Sequence, residues 1–113
     1  MDQLTFERII TDQLSRSETL LTSKGREYAE GADVMQTIDR LAHFKKAAVL
    51  QDKTPAQAAF GMLAKHLVSV ADMVNSAGSY PLEKWNEKIS DSINYLLILR
   101  AIVEERSKDD NEA

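Results

Sequence analysis

Apolar residues recur along most of the chain at steps of three and four, which places them on one face of an α-helix. No stretch alternates between apolar and polar residues for long enough to indicate a strand. The pattern therefore predicts four helices, over residues 4–21, 34–50, 55–78 and 81–105.

The third predicted helix has the clearest start. Thr54 can cap it, Pro55 fits its first turn, and Gln57 completes a capping box. Residues 22–33 contain two of the four glycines and predict a loop between the first two helices.

Short connections between these helices predict an all-α fold, an antiparallel four-helix bundle formed by a single domain over residues 1–106. The polar residues 107–113 predict a frayed tail. Between residues 93 and 103 the fourth helix is apolar nearly all round, so we expect this C-terminal helix to be covered by another copy in a homodimer or higher homo-oligomer.

Composition narrows the range of partners. A formal net charge of −4 argues against a nucleic-acid polymer, and no apolar run is long enough to span a membrane. The absence of cysteine excludes thiol catalysis and fits a reducing compartment. Because Asp2, Glu7 and Arg8 interrupt the start, no signal peptide is expected, and we expect a cytoplasmic protein.

Two narrow polar stripes run along the third and fourth helices, where the surrounding residues are mostly apolar. The first stripe consists of Gly61, Lys65, Ser69, Asp72 and Ser76, and the second of Glu87, Lys88, Asp91, Asn94 and Tyr95. A helix that needed only solubility would carry a broad charged face. The stripes indicate groups held for a ligand, for each other or for a partner subunit.

Three interpretations of these stripes remain open. Asp72, Glu87 and Asp91 could hold Mg²⁺ between facing helices. Lys65 could instead pair with Asp91 in a buried network that fixes the helix register. The same groups could also bind a ligand without a metal. His66, a lone histidine at the edge of an apolar face, is expected to be a satisfied core residue.

A basic segment follows the first predicted helix. Lys24 and Arg26 could bind phosphate, Ser23 could donate a hydrogen bond, and Tyr28 could stack on a base. The segment lacks the spacing of a Walker phosphate-binding loop. A solvated turn that ends the helix near its cations is the alternative.

A second basic segment lies in the second predicted helix. Arg40, His43 and Phe44 fall within one turn and could add a phosphate contact and an aromatic wall. A solvated face with Phe44 in the core or in an interface is equally consistent with the pattern. The two histidines have no zinc-site spacing, and no nucleophile motif is evident.

Several of these segments together resemble a group of small, phage-encoded helical proteins without a settled activity. The segments are Ser23-Lys24-Gly25-Arg26-Glu27-Tyr28-Ala29, Arg40-Leu41-Ala42-His43-Phe44-Lys45, Thr54-Pro55, Lys65-His66-Leu67-Val68-Ser69-Val70-Ala71-Asp72 and Lys88-Ile89-Ser90-Asp91-Ser92-Ile93-Asn94-Tyr95-Leu96-Leu97. The most specific part is Asp-x-x-Asn-Tyr-Leu-Leu, residues 91–97.

More distantly, the chain is similar to the all-α nucleoside triphosphate pyrophosphatases of the MazG and dUTPase type. Those proteins hold magnesium with Glu-x-x-Glu on one helix and Glu-x-x-Asp on the next. The comparable positions here are Ser69-x-x-Asp72 and Lys88-x-x-Asp91, so only one member of each pair is acidic. The resemblance implies nucleotide binding and leaves hydrolysis in doubt.

We therefore expect a phage-type protein that binds or sequesters a nucleotide-derived molecule, such as a host immune signal, in the host cytoplasm. The expected ligand-binding residues are Ser23, Lys24, Arg26, Tyr28, Arg40, Phe44, Lys65, Ser69, Asp72, Asp91, Asn94 and Tyr95. No catalytic residue, resident metal or other cofactor is assigned. The alternatives are a Mg²⁺-dependent pyrophosphohydrolase using Asp72, Glu87 and Asp91, and a protein–protein interaction module without a small-molecule ligand.

Overall fold

The computed structural model describes residues 1–27 and 39–112, and the side chains of residues 1–23 and 39–110. The described residues form helices and no strand, which confirms the predicted all-α class. The helices are α1 (Gln3–Glu27), α2 (Ala42–Gln51), α3 (Pro55–Asn75) and α4 (Leu82–Glu112). The chain divides into two compact units, Met1–Arg40 and Leu41–Ala113.

Helix α1 begins at a cap that the sequence analysis did not single out. The backbone N–H of Thr5 donates to the Asp2 carboxylate at 2.7 Å and satisfies a free donor of the first turn. The pKa of Asp2 is lowered mainly by a hydrogen bond from the Thr5 side chain and further by the one from the Thr5 backbone N–H, because both favour the charged carboxylate.

Helix α1 also continues further than predicted. Residues 22–27, expected to begin a loop, are helical, and the remainder of that loop lies outside the described residues. The Thr22 hydroxyl donates to the Glu18 carbonyl at 2.8 Å, and the Ser23 hydroxyl donates to the Leu20 carbonyl at 3.2 Å. These hydroxyls are satisfied by the preceding turn, so they do not end the helix.

Helix α2 begins at Ala42 rather than at residue 34, since residues 39–41 are not helical and residues 34–38 lie outside the described part. The Leu41 carbonyl accepts the first backbone hydrogen bonds of this helix, from Phe44 and Lys45. At the other end Asp52 adopts a left-handed conformation with φ of 54°, which closes the helix and turns the chain toward α3.

The capping box of α3 is confirmed. The Gln57 backbone N–H donates to the Thr54 hydroxyl at 3.1 Å, and the Thr54 backbone N–H donates to the Gln57 side chain at 2.9 Å. The helix ends at Asn75, three residues before the predicted end, because Ser76 has extended backbone angles.

Helix α4 is 31 residues long and extends past the predicted end at residue 105 to Glu112. It therefore includes residues 107–112, for which the sequence predicted a frayed tail. Residues 104–108 contain Glu, Arg and Lys, which favour helix even without burial. The predicted single domain over residues 1–106 stays a prediction.

The core of the second unit lies where α3 packs against both α2 and α4. Phe44 of α2, Ala59 of α3 and Ile102 of α4 are buried there. Partly buried side chains surround them, namely Leu41, Ala56, Met62, Tyr95 and Ile98. Ala59 allows α3 to come close to its neighbours, while the larger side chains fill the remaining space.

The capping box provides a local test of the fold. We expect Thr54→Ala to lower the free energy of unfolding by about 1 kcal/mol, because the Gln57 N–H loses its acceptor. Urea unfolding followed by circular dichroism measures this change. Thr54→Ser keeps the hydroxyl and is the matched control; equal stabilities of the two variants would contradict the assigned cap.

Candidate functional site

The polar stripe of α3 faces solvent. Lys65 and Asp72 are exposed, and the hydroxyl of the partly buried Ser69 donates to the Lys65 carbonyl of its own helix at 3.3 Å. The expectation that Lys65 is buried in an apolar setting is therefore wrong. The face of α3 that packs inward carries Ala59, Leu63 and Met73 instead.

The carboxylate of Asp91 on α4 has a partner on α3. His66 Nδ1 lies 3.7 Å from Asp91 Oδ2, and the two side chains are 26% and 37% exposed. Because both groups are half-buried, this contact is less screened than a surface pair and becomes an ion pair when the imidazole is protonated. The proposed pair of Lys65 with Asp91 is replaced by His66 with Asp91.

Aromatic contacts extend from this pair into the core. The rings of His66 and Tyr95 stack with centroids 5.0 Å apart and an interplanar angle of 26°. Tyr95 also contacts Phe44, and these two rings pack edge to face with centroids 6.3 Å apart and an interplanar angle of 86°. Tyr95 thus joins side chains from α2 and α3.

Asn94 lies between Asp91 and Tyr95 along α4 and has an unsatisfied group. Its side-chain oxygen Oδ1 is buried and accepts no hydrogen bond from any described residue. An unpaired buried acceptor costs on the order of 1–3 kcal/mol. We name the residues Phe44, His66, Asp91, Asn94 and Tyr95 the polar–aromatic cluster.

His66 is the member of the cluster that the sequence analysis undervalued. Its position at the edge of an apolar face predicted a satisfied core residue, and in the structure it is half-buried and contacts Asp91 of α4. No spacing along the chain links His66 to Asp91 or Tyr95, because they lie on different helices and meet only through packing. The sequence feature that could have predicted this contact was a histidine facing inward on one helix and an acidic residue facing inward on the next.

The other predicted phosphate-binding residues fall in the first unit. Arg40 Nη2 donates to the Leu21 carbonyl at 3.1 Å, and Ser23 donates to a carbonyl of α1. Arg40 was predicted to lie in the second helix, but it precedes α2 in the structure. Its side chain is hydrogen-bonded to the backbone of the same chain. The side chains of Lys24 and Arg26, and all of Tyr28, lie outside the described residues, so their predicted roles stay predictions.

The carboxylates proposed for the alternative Mg²⁺ site do not lie close together in the structure. Across the described residues, no three His, Asp or Glu side chains come close enough together to hold a metal ion. Asp72 and Glu87 are exposed on separate helices, while Asp91 contacts His66. The carboxylates Asp72, Glu87 and Asp91 therefore do not form a group of the kind that binds Mg²⁺.

A shallow groove of about 260 Å³ lies elsewhere in the second unit. Its lining residues are Leu41, Lys45, Thr54, Pro55, Ala56, Ile102, Glu105, Arg106 and Asp109. Lys45 Nζ pairs with Glu105 Oε1 at 2.6 Å across it, so α2 and α4 are tied there by charge. None of the predicted ligand-binding residues whose side chains the structure describes lines this groove.

Comparisons with known proteins add no relative: no protein-family model, curated protein or solved structure matches the chain. Among the described helices there is none whose length and apolar content would let it cross a membrane.

The stacked ring of Tyr95 leads to a stability prediction. Tyr95→Leu removes two aromatic contacts and should lower the free energy of unfolding by about 1–3 kcal/mol. Tyr95→Phe keeps both rings in contact and should retain most of the stability. Urea unfolding of both variants tests this; a Leu variant as stable as the Phe variant would show that the stack contributes nothing.

Proposed function

We propose that the protein binds a nucleotide or a nucleotide-derived molecule, with the base held at the polar–aromatic cluster. One observation carries the proposal: the half-buried Asp91 carboxylate lies against a His66 ring that stacks on Tyr95, next to the unpaired oxygen of Asn94. Acceptors beside a flat aromatic surface are complementary to a planar group that carries N–H donors.

The acceptors determine which part of the ligand the cluster would recognise. Asp91 and Asn94 lie three residues apart on α4, a spacing that places both on one side of the helix. A carboxylate and an amide oxygen accept hydrogen bonds from the amino and imino groups of a base, and they repel phosphate. A donor that reached Asn94 Oδ1 would also remove the cost of leaving it unpaired.

Cations near the cluster would hold the phosphate. Lys65 precedes His66 on α3 and is exposed, so its ammonium group is accessible to an anion beside the cluster. Ser69 and Asp72 of the second unit would contribute hydrogen bonds. Within the first unit, Lys24, Arg26 and Arg40 remain proposed phosphate contacts, Ser23 a proposed hydrogen-bond donor and Tyr28 a proposed stacking residue.

The biological setting comes from the resemblance to phage-encoded helical proteins. A phage protein that binds a nucleotide without cleaving it could sequester the molecule by which a host cell triggers defence. The proposal includes the host cytoplasm as the location, an antiparallel four-helix bundle and a homo-oligomer formed through the C-terminal helix. No observation favours the alternative, a Mg²⁺-dependent pyrophosphohydrolase, over binding alone.

The first test asks whether a nucleotide binds at all. Small molecules released from the heat-denatured, purified protein are identified by mass spectrometry, and a nucleotide panel is then screened by thermal unfolding. A ligand at about 100 times its Kd should add about 2.7 kcal/mol to stability. Release of pyrophosphate in the presence of Mg²⁺ would instead indicate the enzyme. No bound nucleotide and no shift in Tm would contradict the proposal.

The second test locates the base. Asp91→Asn replaces the charged acceptor and should weaken binding of the nucleotide identified above by about 10- to 100-fold, as expected for a lost hydrogen bond to a charged group. Glu83→Gln makes the same chemical change at an exposed position in the first turn of α4. Calorimetric titration of both variants is the measurement; equal affinities would remove Asp91 from the site.

A further inference from the structure

An apolar stripe runs along the outside of α3. Phe60, Leu67 and Val74 are spaced seven residues apart, with Ala64 and Ala71 between them. At 100° per residue these five positions fall within an arc of about 80° on the helix surface. The three large side chains are 58%, 45% and 65% exposed, so the stripe is not part of the core. We call it the α3 stripe.

Helix α4 carries a second stripe with the same seven-residue spacing. Leu82, Ile89, Leu96 and Val103 fall within an arc of about 60°. Their side chains are between 38% and 74% exposed. We call this set the α4 stripe. A strict seven-residue repeat is typical of helices that wrap around other helices over several turns.

The α4 stripe lies away from the contact between the two helices, and the α3 stripe borders that contact at the buried Leu63, one turn before Leu67. The inward side of α3 is formed by Ala59 and Leu63, and that of α4 by Tyr95, Ile98 and Ile102. In the part of the chain that the structure describes, the stripes remain exposed after the core is complete. Isolated exposed apolar side chains are ordinary, whereas two continuous rows of them mark an interaction surface.

The size of the surface fits a second copy. With roughly 200 Å² per residue, the figure for an aromatic side chain, the exposed fractions of the seven large side chains amount to at most about 740 Å² per chain. A stable complex of standard size buries about 800 Å² per partner. A two-fold contact uses the same surface patch on each subunit. The α3 and α4 stripes both repeat every seven residues, so the helices of one copy can pack along those of the other.

We propose that the α3 and α4 stripes form the interface with a second copy of this chain, so that two helix pairs pack into an intermolecular bundle. The alanines of the α3 stripe let the facing helix come close, and the leucines fill the gaps between turns. This inference rests on the homo-oligomer in the proposed function, of which it names the surface, and does not depend on nucleotide binding.

Light scattering coupled to size exclusion tests the interface on the full chain. The wild type should have a dimeric or higher mass, and Leu67→Glu and Leu96→Glu should each raise the dissociation constant at least tenfold. Val68→Glu is the matched control, because Val68 is 60% exposed but about 100° around the helix from Leu67. Its mass should equal that of the wild type.

A monomeric wild type would overturn both the inference and the proposed homo-oligomer. A wild type that assembles, with both stripe variants assembling equally well, would overturn the inference alone. Nucleotide binding is measured separately in each case, so its failure is distinguishable from either result.

Milder variants cover the case in which a glutamate unfolds the chain. The chain has no cysteine, so Leu67→Cys and Val68→Cys each introduce one labelling site. Maleimide should label Leu67→Cys more slowly than Val68→Cys at high protein concentration, and the difference should disappear on dilution. Equal rates at every concentration would contradict the interface. Slow labelling of a monomer would show that the stripe is covered within a single chain and would also contradict the interface.

Discussion

Tyr95 is the side chain at which the three helices of the second unit meet. It lies on α4, stacks on His66 of α3 and packs nearly perpendicular to the ring of Phe44 from α2. The remaining core contacts are made by small or flexible apolar side chains, which specify position less strictly than a ring held between two others. The orientations of Asp91, one turn earlier on α4, and of Asn94, the residue before Tyr95, depend on how this ring fixes the helix.

The same contact explains why polar groups lie so close to the core. The ring of His66 stacks on Tyr95, and its Nδ1 lies near Asp91. Two residues one turn apart on α4 therefore provide both an apolar surface and a polar partner for this side chain. Asn94 shares that helix but its oxygen has no partner. A structural network would be expected to satisfy every buried member, and the exception is the reason for proposing that a ligand supplies the missing donor.

Features that depend on neighbours in the sequence could be predicted, and features that depend on packing could not. The capping box of Thr54 and Gln57 is formed by residues three apart, so it was predicted and is confirmed. Most of the polar stripe containing Lys65 lies on α3 as predicted, although Ser76 is beyond the end of the helix, and a helical period does not say which side packs inward. The contact of His66 with Asp91 joins positions 25 residues apart and required the folded structure.

The proposed ligand site and the proposed interface occupy neighbouring sides of the same two helices, about 100° apart. His66 of the cluster precedes Leu67 of the α3 stripe, and Tyr95 precedes Leu96 of the α4 stripe. A rotation of either helix would therefore move a cluster residue and a stripe residue together. A second copy packed on the stripes would restrict that rotation and hold His66, Asp91 and Tyr95 in one geometry, so association would lower the entropy cost of binding a ligand. Under the two proposals, self-association and ligand affinity are thermodynamically linked, and each should increase the other.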